Sequence, residues 1–219
     1  FGTRQAPVLE YEMSFFSPNE ISAWDAENIQ SWLFGKGQHK IFQVEQEDVS
    51  EIYWNLLFTD PKMIRNGNYV IGFSCRAACD SPFAYTYEKS ITSTAGSSGY
   101  NNEIKTFYNL SDNSYYFYPK IEIQLNQAFN FGGDVSITNV TENSRIFNFG
   151  EVAGVQLSPN ELLTIDNDLQ IVTSSTGFKR IGNFNKNWLR LIQGKNTLNL
   201  TGDFAYLKMY YQFARKMGG

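Results

Sequence analysis

NFNKNWLRLIQGKNTLNLTGDFAYLKMYYQFARKMGG, residues 183–219, decides the fold class of this chain. It reads as three short β-strands in a row. Trp188 to Ile192 is a compact apolar run, and Gln193-Gly194-Lys195-Asn196 is a turn in which glycine takes the unusual backbone angle. Leu198 and Leu200 then alternate with Thr197, Asn199 and Thr201. After Gly202-Asp203, the residues Ala205, Leu207, Met209, Tyr211 and Phe213 line one face at a period of two. The expectation is a three-stranded antiparallel meander whose last strand lies inside the sheet.

Upstream, the chain divides in two. Pro7 to Phe16 reads as a strand. Ser22-Ala23-Trp24-Asp25 has the form of a capping box, with a hydroxyl over the first helical turn and an acid three residues on. Ile21, Trp24, Ile29, Trp32 and Leu33 recur at helical spacing, and Gly35 supplies a stop. The two tryptophans read as core packing against a neighbouring sheet, with a ligand-stacking platform as the alternative. Ile41–Val44, Ile52–Phe58 and Tyr69–Cys79 read as strands, with Asn66-Gly67-Asn68 a tight turn between the last two. Asp80-Ser81-Pro82 ends that run, which places a domain boundary near Tyr87. Ser93 to Gly99 is small, polar and Gly-rich, a linker or a long hairpin loop. Short strands follow at close intervals: Ile104–Tyr108, Tyr115–Tyr118, Ile121–Leu125, Val135–Val140, Arg145–Phe149, Leu162–Asp166 and Leu169–Thr173. Turn signals such as Gly132-Gly133 and Asn167-Asp168 separate them. Many short strands without helical patterning argue for a β-sandwich.

The same pieces carry a resemblance. Asn183-Phe184-Asn185, Trp188-Leu189-Arg190-Leu191 and Gly194-Lys195-Asn196-Thr197-Leu198 before a Tyr-rich closing strand resemble the C-terminal end of the siphophage distal tail proteins. Tyr53–Pro61, Gly72-Phe73-Ser74-Cys75 and Cys79-Asp80-Ser81-Pro82-Phe83-Ala84-Tyr85 are similar to the middle of that family. Tyr118-Pro119-Lys120-Ile121-Glu122-Ile123, Ile165-Asp166-Asn167 and Gln170-Ile171-Val172 follow in the same order. The resemblance implies a mainly β chain with an N-terminal β-rich belt domain over 1–87, bearing one α-helix. A galectin-like antiparallel β-sandwich over 88–219 would follow. It implies a homo-hexameric ring in a phage or prophage-derived tail tip or baseplate. That ring would sit between the tail tube protein and the tail hub or tail-associated lysin, with a receptor-binding protein as a further partner. The location implied is the virion tail tip, assembled in the bacterial host cytoplasm. Family members begin earlier than Phe1, so the resemblance also implies that the first strands of the natural protein are missing here.

Composition fits this frame. Aromatic residues are 16% and charged residues 18%, a balance that suits sheets and contact surfaces. A net charge of -4 with dispersed Lys and Arg gives no basic footprint for sequence-specific nucleic-acid binding. No apolar run is long enough for a membrane helix, and the first residues do not read as a secretory signal. Cys75 and Cys79 lie four apart on one strand, roughly 13 Å, beyond the reach of a disulfide, and read as buried free thiols.

Nothing in the sequence reads as catalytic. His39 is the only histidine, in a Gly-Lys-Gly-Gln-His-Lys loop, so triad and Cys–His devices lack a base. Gly35-Lys36-Gly37 lacks phosphate-loop spacing. Glu45, Glu47, Asp48 and Glu51 read as a solvated polar turn rather than a carboxylate pair. No catalytic, cofactor or metal site is expected, and no cofactor. The rival reading is a carbohydrate-binding sandwich for host-surface recognition. Against it, the second half has no histidine and only Trp188, within an apolar run. Asn109-Leu110-Ser111, Asn139-Val140-Thr141 and Asn199-Leu200-Thr201 fit the glycosylation pattern and are taken as coincidence.

Overall fold

The computed structural model describes residues 8–47, 49, 51–94, 101–113, 115–126, 133–150 and 156–216. Pro7, Asp48, Gly132 and most of the Ser93–Gly99 segment lie outside the described residues. The chain is mainly β, with 57% of it in strands and 8% helical. It forms two compact units, Phe1–Tyr87 with Ala214–Gly219, and Glu88–Phe213.

The first unit is a six-stranded antiparallel sheet with one helix. Its strands are β1 (Glu10–Ile21), β2 (Lys40–Gln43), β3 (Ile52–Asn66), β4 (Tyr69–Cys79), β5 (Ala84–Thr86) and, from the far end of the chain, β15 (Ala214–Arg215). The order is β1-β4-β3-β5-β15, with β2 on β3. The period-two pattern sets the register. Tyr11 faces Ala77, Met13 faces Cys75 and Phe15 faces Phe73, so one face of the ladder is apolar. Gly67, at φ 60°, lets β3 turn into β4 in two residues. Gly72 is needed for close approach: a Cβ there would lie 2.3 Å from the Phe15 carbonyl oxygen of β1. The main buried cluster is small: Leu33, Leu56, Phe58, Cys75, Ala77 and Cys79.

Helix α1 (Ala23–Phe34) starts where the capping box places it. Ser22 Oγ accepts from the Asp25 amide at 3.1 Å and donates to the Asp25 carboxylate at 2.6 Å. Its buried residues are Ala26 and Leu33. The expectation of two core tryptophans fails: Trp24 is 72% exposed and Trp32 67%. Helical spacing shows that they share a broad face, but Ala26 and Leu33 are the residues turned to the sheet.

The second unit has two sheets with one core between them. One sheet runs β10 (Arg145–Gly150), β9 (Asp134–Asn139), β13 (Gly194–Gly202), β7 (Asn101–Asn109). The other runs β12 (Ile171–Ser174), β11 (Leu162–Asp166), β8 (Lys120–Leu125), β14 (Phe204–Tyr211), β6 (Lys89–Thr94). All ladders are antiparallel. Phe147, Phe149, Ile137, Leu198 and Leu200 from the first sheet meet Ile121, Ile123, Leu163, Ile165, Leu207 and Met209 from the second in one buried cluster.

The closing meander is not there. β13 and β14 are consecutive, yet they pair in different sheets, β13 with β7 and β9, β14 with β8 and β6. Gly202 makes the switch at φ 122°, and a Cβ there would lie 2.1 Å from the Asp134 carbonyl oxygen. β14 is internal, with neighbours on both sides. A bulge between Phe204 and Tyr206 resets its alternation, so Phe204 is buried and Ala205 exposed rather than aligned with Leu207 and Met209.

Trp188–Ile192 is not a strand either. Only Leu191 bridges, to Phe117. Buried asparagines take the place of neighbouring strands. Asn167 accepts from the Leu189 amide at 2.8 Å and donates to the Pro119 carbonyl at 2.6 Å. Asn139 donates to the Arg190 carbonyl at 3.1 Å, and Asn109 to that of Leu191 at 3.4 Å. Asn196 accepts from the Ile192 amide and donates to its carbonyl. The backbone is thus satisfied without a ladder. Likewise Tyr115–Tyr118 supplies only the Phe117 bridge, and β12 begins at Ile171 because Asp166 Oδ1 holds the Asp168 and Leu169 amides in a turn.

Candidate assembly surfaces

In the first unit, the end of β1, the helix and β2 enclose an apolar groove of about 390 Å³. Phe15, Phe16, Ile29, Trp32, Ile41 and Phe42 are among its lining residues. Phe16 and Ile41 are about two-thirds exposed, as Trp32 is. Lys40 is the charged residue on its wall, with Nζ 5.3 Å from the centre of the Trp32 ring. Such a concentration of exposed rings on a small unit marks a contact surface.

The same sheet has open edges along β1 and along the second half of β3 among the described residues. β1 pairs with β4 alone. β3 pairs with β2 only up to Leu56, so Leu57–Asn66 has β4 on one side and no strand on the other. Pro18 on β1, and Pro61 with the irregularity between Thr59 and Lys62 on β3, take part of each edge out of pairing.

In the second unit, charge is spent on internal order. Arg180 forks onto Glu161 at 2.6 and 2.8 Å, with both side chains buried, and donates to the Gln156 carbonyl at 2.6 Å. Ser174, Thr176 and the Ser158 amide complete the Glu161 shell. Burial alone would raise the Glu161 carboxyl, but Arg180, Ser174 and Ser158 outweigh it and hold it below the usual carboxylate range. Arg190 pairs with Glu142 and stacks on Tyr116 at 4.1 Å. Tyr115, Tyr108 and Leu110 are exposed near that end.

The residues singled out from the sequence resolve as follows. His39 is exposed in the loop before β2, and Glu45, Glu47 and Glu51 are exposed. Cys75 and Cys79 are free and buried on the core face, and burial pushes both thiols up. Among the described residues no three His, Cys, Asp or Glu side chains gather in a metal-holding group. Asn109 and Asn139 are buried structural donors and so are closed to glycosylation, while Asn199 is half-buried. Trp188 packs edge-on against Phe184 at 4.7 Å, which makes it a core ring and not a sugar platform.

The sequence matches two family models, the phage tail protein N-terminal domain over residues 1–81 and the phage tail C-terminal domain over residues 83–211. Among solved structures, the fold is similar to the SPP1 Dit (gp 19.1) protein, described as a paradigm of the hub adsorption apparatus in Gram-positive-infecting phages. The TM-score is 0.65 at 10% identity, covering 97% of this chain and 81% of that one. The phage P2 baseplate in its activated conformation with Ca aligns at a TM-score of 0.49 and 10% identity, over 98% of this chain and 81% of that one. No curated protein matches the sequence.

Proposed function

The chain belongs to the phage tail protein family, matched by that family's N-terminal and C-terminal domain models in turn, and from that premise we propose that it closes into a hexameric ring at the tail tip. It is a structural component of the virion tail and not an enzyme. The ring joins the tail tube to the tail hub or tail-associated lysin, and receptor-binding proteins attach through it. Residues 1–87, joined by the returning strand β15, make the belt, and Glu88–Phe213 form the second functional domain, a galectin-like sandwich. Assembly takes place in the host cytoplasm.

The observation that carries this reading is the pair of open edges on the β1-β4-β3 ladder. The edges belong to different strands on opposite sides of one sheet, so a contact joining them is head-to-tail, the kind that generates a ring when the rotation closes. Native mass spectrometry of the protein at high concentration, with a negative-stain image of the same sample, tests it. A sixfold mass and a central hole are expected. A chain that remains monomeric there overturns the ring.

A further inference from the structure

The first unit is discontinuous in sequence. Its main run ends at Tyr87, the chain then builds the whole of the second unit, and only afterwards does β15 return to the first sheet. The register shows what that return completes. Gln43 of β2 faces Tyr53 of β3, Tyr53 faces Tyr85 of β5, and Tyr85 faces Ala214 of β15, so one cross-strand row runs through four strands. The Tyr53 and Tyr85 rings lie 6.0 Å apart in that row. Tyr87 packs on Tyr53 at 5.4 Å, and its hydroxyl donates to the Gln43 side chain, which ties β5 to β2 across β3. β5 itself has little support of its own. It has two facing pairs with β3 and two with β15, so half of its ladder comes from the returning segment, and its Ala84 is fully buried.

Phe213, the residue before β15, is buried in the second unit's core, 5.2 Å from Tyr211, 6.1 Å from Phe107 and 6.2 Å from Phe117 between ring centres. We propose that β15 is a completion latch: β5 and β2 become ordered only once the second unit has folded and its end delivers Ala214 and Arg215 to β5. The reason is entropic. A two-residue strand on an unfolded tail cannot repay the cost of ordering itself, roughly 1–2 kcal/mol per residue of backbone. With Phe213 fixed in a core, Ala214 is one residue from a fixed point, and the closure of a loop as long as the second unit is already accomplished. β2 in turn walls the apolar groove through Ile41 and Phe42. The latch therefore decides when that contact surface exists, and it withholds copies with an unfinished second unit from assembly. This last step rests on the ring reading, and the latch itself does not.

Native-state hydrogen exchange compares the full chain with one stopped after Phe213, which keeps the core anchor and removes the strand. The stopped chain exchanges about tenfold faster or more at Ala84–Thr86 and at Lys40–Gln43, with β8 and β11 unchanged, and it closes no ring. A Tyr85→Cys/Ala214→Cys variant reads the same latch without truncation. Facing residues of an antiparallel pair lie within disulfide reach, and Cys75 and Cys79 are buried. Its oxidised form exchanges more slowly than its reduced form at β2 as well as at β5, and this comparison decides where the stopped chain loses β8 protection too. Equal β2 rates in the oxidised and reduced forms overturn the proposal, and so does a stopped chain that closes rings like the full one. A full chain that stays monomeric while the stopped chain loses β5 and β2 protection removes the ring and leaves the latch. A ring from the full chain with exchange unaltered by the stop does the reverse.

Discussion

The two units spend the same aromatic-rich composition in opposite ways. In the second, a group of rings goes inward: Phe147, Phe149 and Phe184 pack on one another with centroids 4.9 to 5.6 Å apart, and Trp188 closes the group, while Tyr108, Tyr115 and Phe178 stay exposed. In the first, the main buried cluster is only Leu33, Leu56, Phe58, Cys75, Ala77 and Cys79, while Phe16, Trp24, Trp32 and Ile41 are each about two-thirds or more exposed. Burial of apolar area contributes about 25 cal/mol per Å². The second unit, with the larger core, therefore collects more of that stabilisation within one chain, and the first leaves more of it to be collected on contact. A sandwich with a large core of its own and a sheet left incompletely covered make the division of labour expected of an assembly component.

The largest effect should come from one substitution made in both places. Leu207→Asp buries a charge between the sheets of the second unit and should cost several kcal/mol, enough to unfold it. Trp32→Asp in the first unit should change stability by roughly 0.5 kcal/mol or less, since the ring is already in water. Chemical denaturation followed by circular dichroism compares the two. Comparable losses at both sites would abolish the contrast.

The buried ion pair gives the next largest effect. Glu161→Gln leaves Arg180 enclosed without its counter-charge and should cost about 3–5 kcal/mol. The pH dependence has a definite sign. The folded-state carboxyl lies below the usual range, so its contribution is fully present above the unfolded value near ~4.3 and fades as pH falls through the folded one. Melting of the second unit should therefore drop on acidification below about pH 4, and Glu161→Gln should flatten that part of the curve. A variant with an unaltered acid limb would show that other carboxylates set it.

Smaller, and specific to the irregular segment, is the loss of an asparagine bridge. Asn167→Ala frees the Leu189 amide and the Pro119 carbonyl in a buried place and should cost about 1–3 kcal/mol. Faster amide exchange at Leu189 than at strand positions of β8 would locate the damage.

That segment is also where sequence reasoning stopped working. Alternation located β4, β8, β9 and β11 to within a residue or two, and the Ser22–Asp25 pair fixed the start of α1, because both signals are local. Trp188–Ile192 has a strand's composition, but side chains distant in sequence decide its conformation. Asn109, Asn139 and Asn167 looked like glycosylation or turn residues until the fold brought them to one backbone. The pairing of β13 with β9 and of β14 with β8 is equally non-local, and Gly202 betrays it only once its φ is known. For the assembly surface, helical spacing placed Trp24 and Trp32 on a common face. Which face a helix buries depends on what lies beneath it, and here the small Ala26 lies against the sheet.

The smallest expected effect sharpens the comparison most. Trp24→Ala removes the largest side chain type from a position 72% exposed and should alter the melting of the isolated protein by no more than about 0.5 kcal/mol. Helix propensity even favours the alanine by a few tenths. A tryptophan that contributes nothing to the fold of one chain, yet sits on its most exposed helix face, contributes elsewhere. Thermal melts at two protein concentrations separate the cases. Equal melting of variant and wild type when dilute, with wild type alone gaining stability when concentrated, places the contribution between copies. A loss of 2 kcal/mol or more in the dilute sample would mean that Trp24 belongs to the core of the first unit after all.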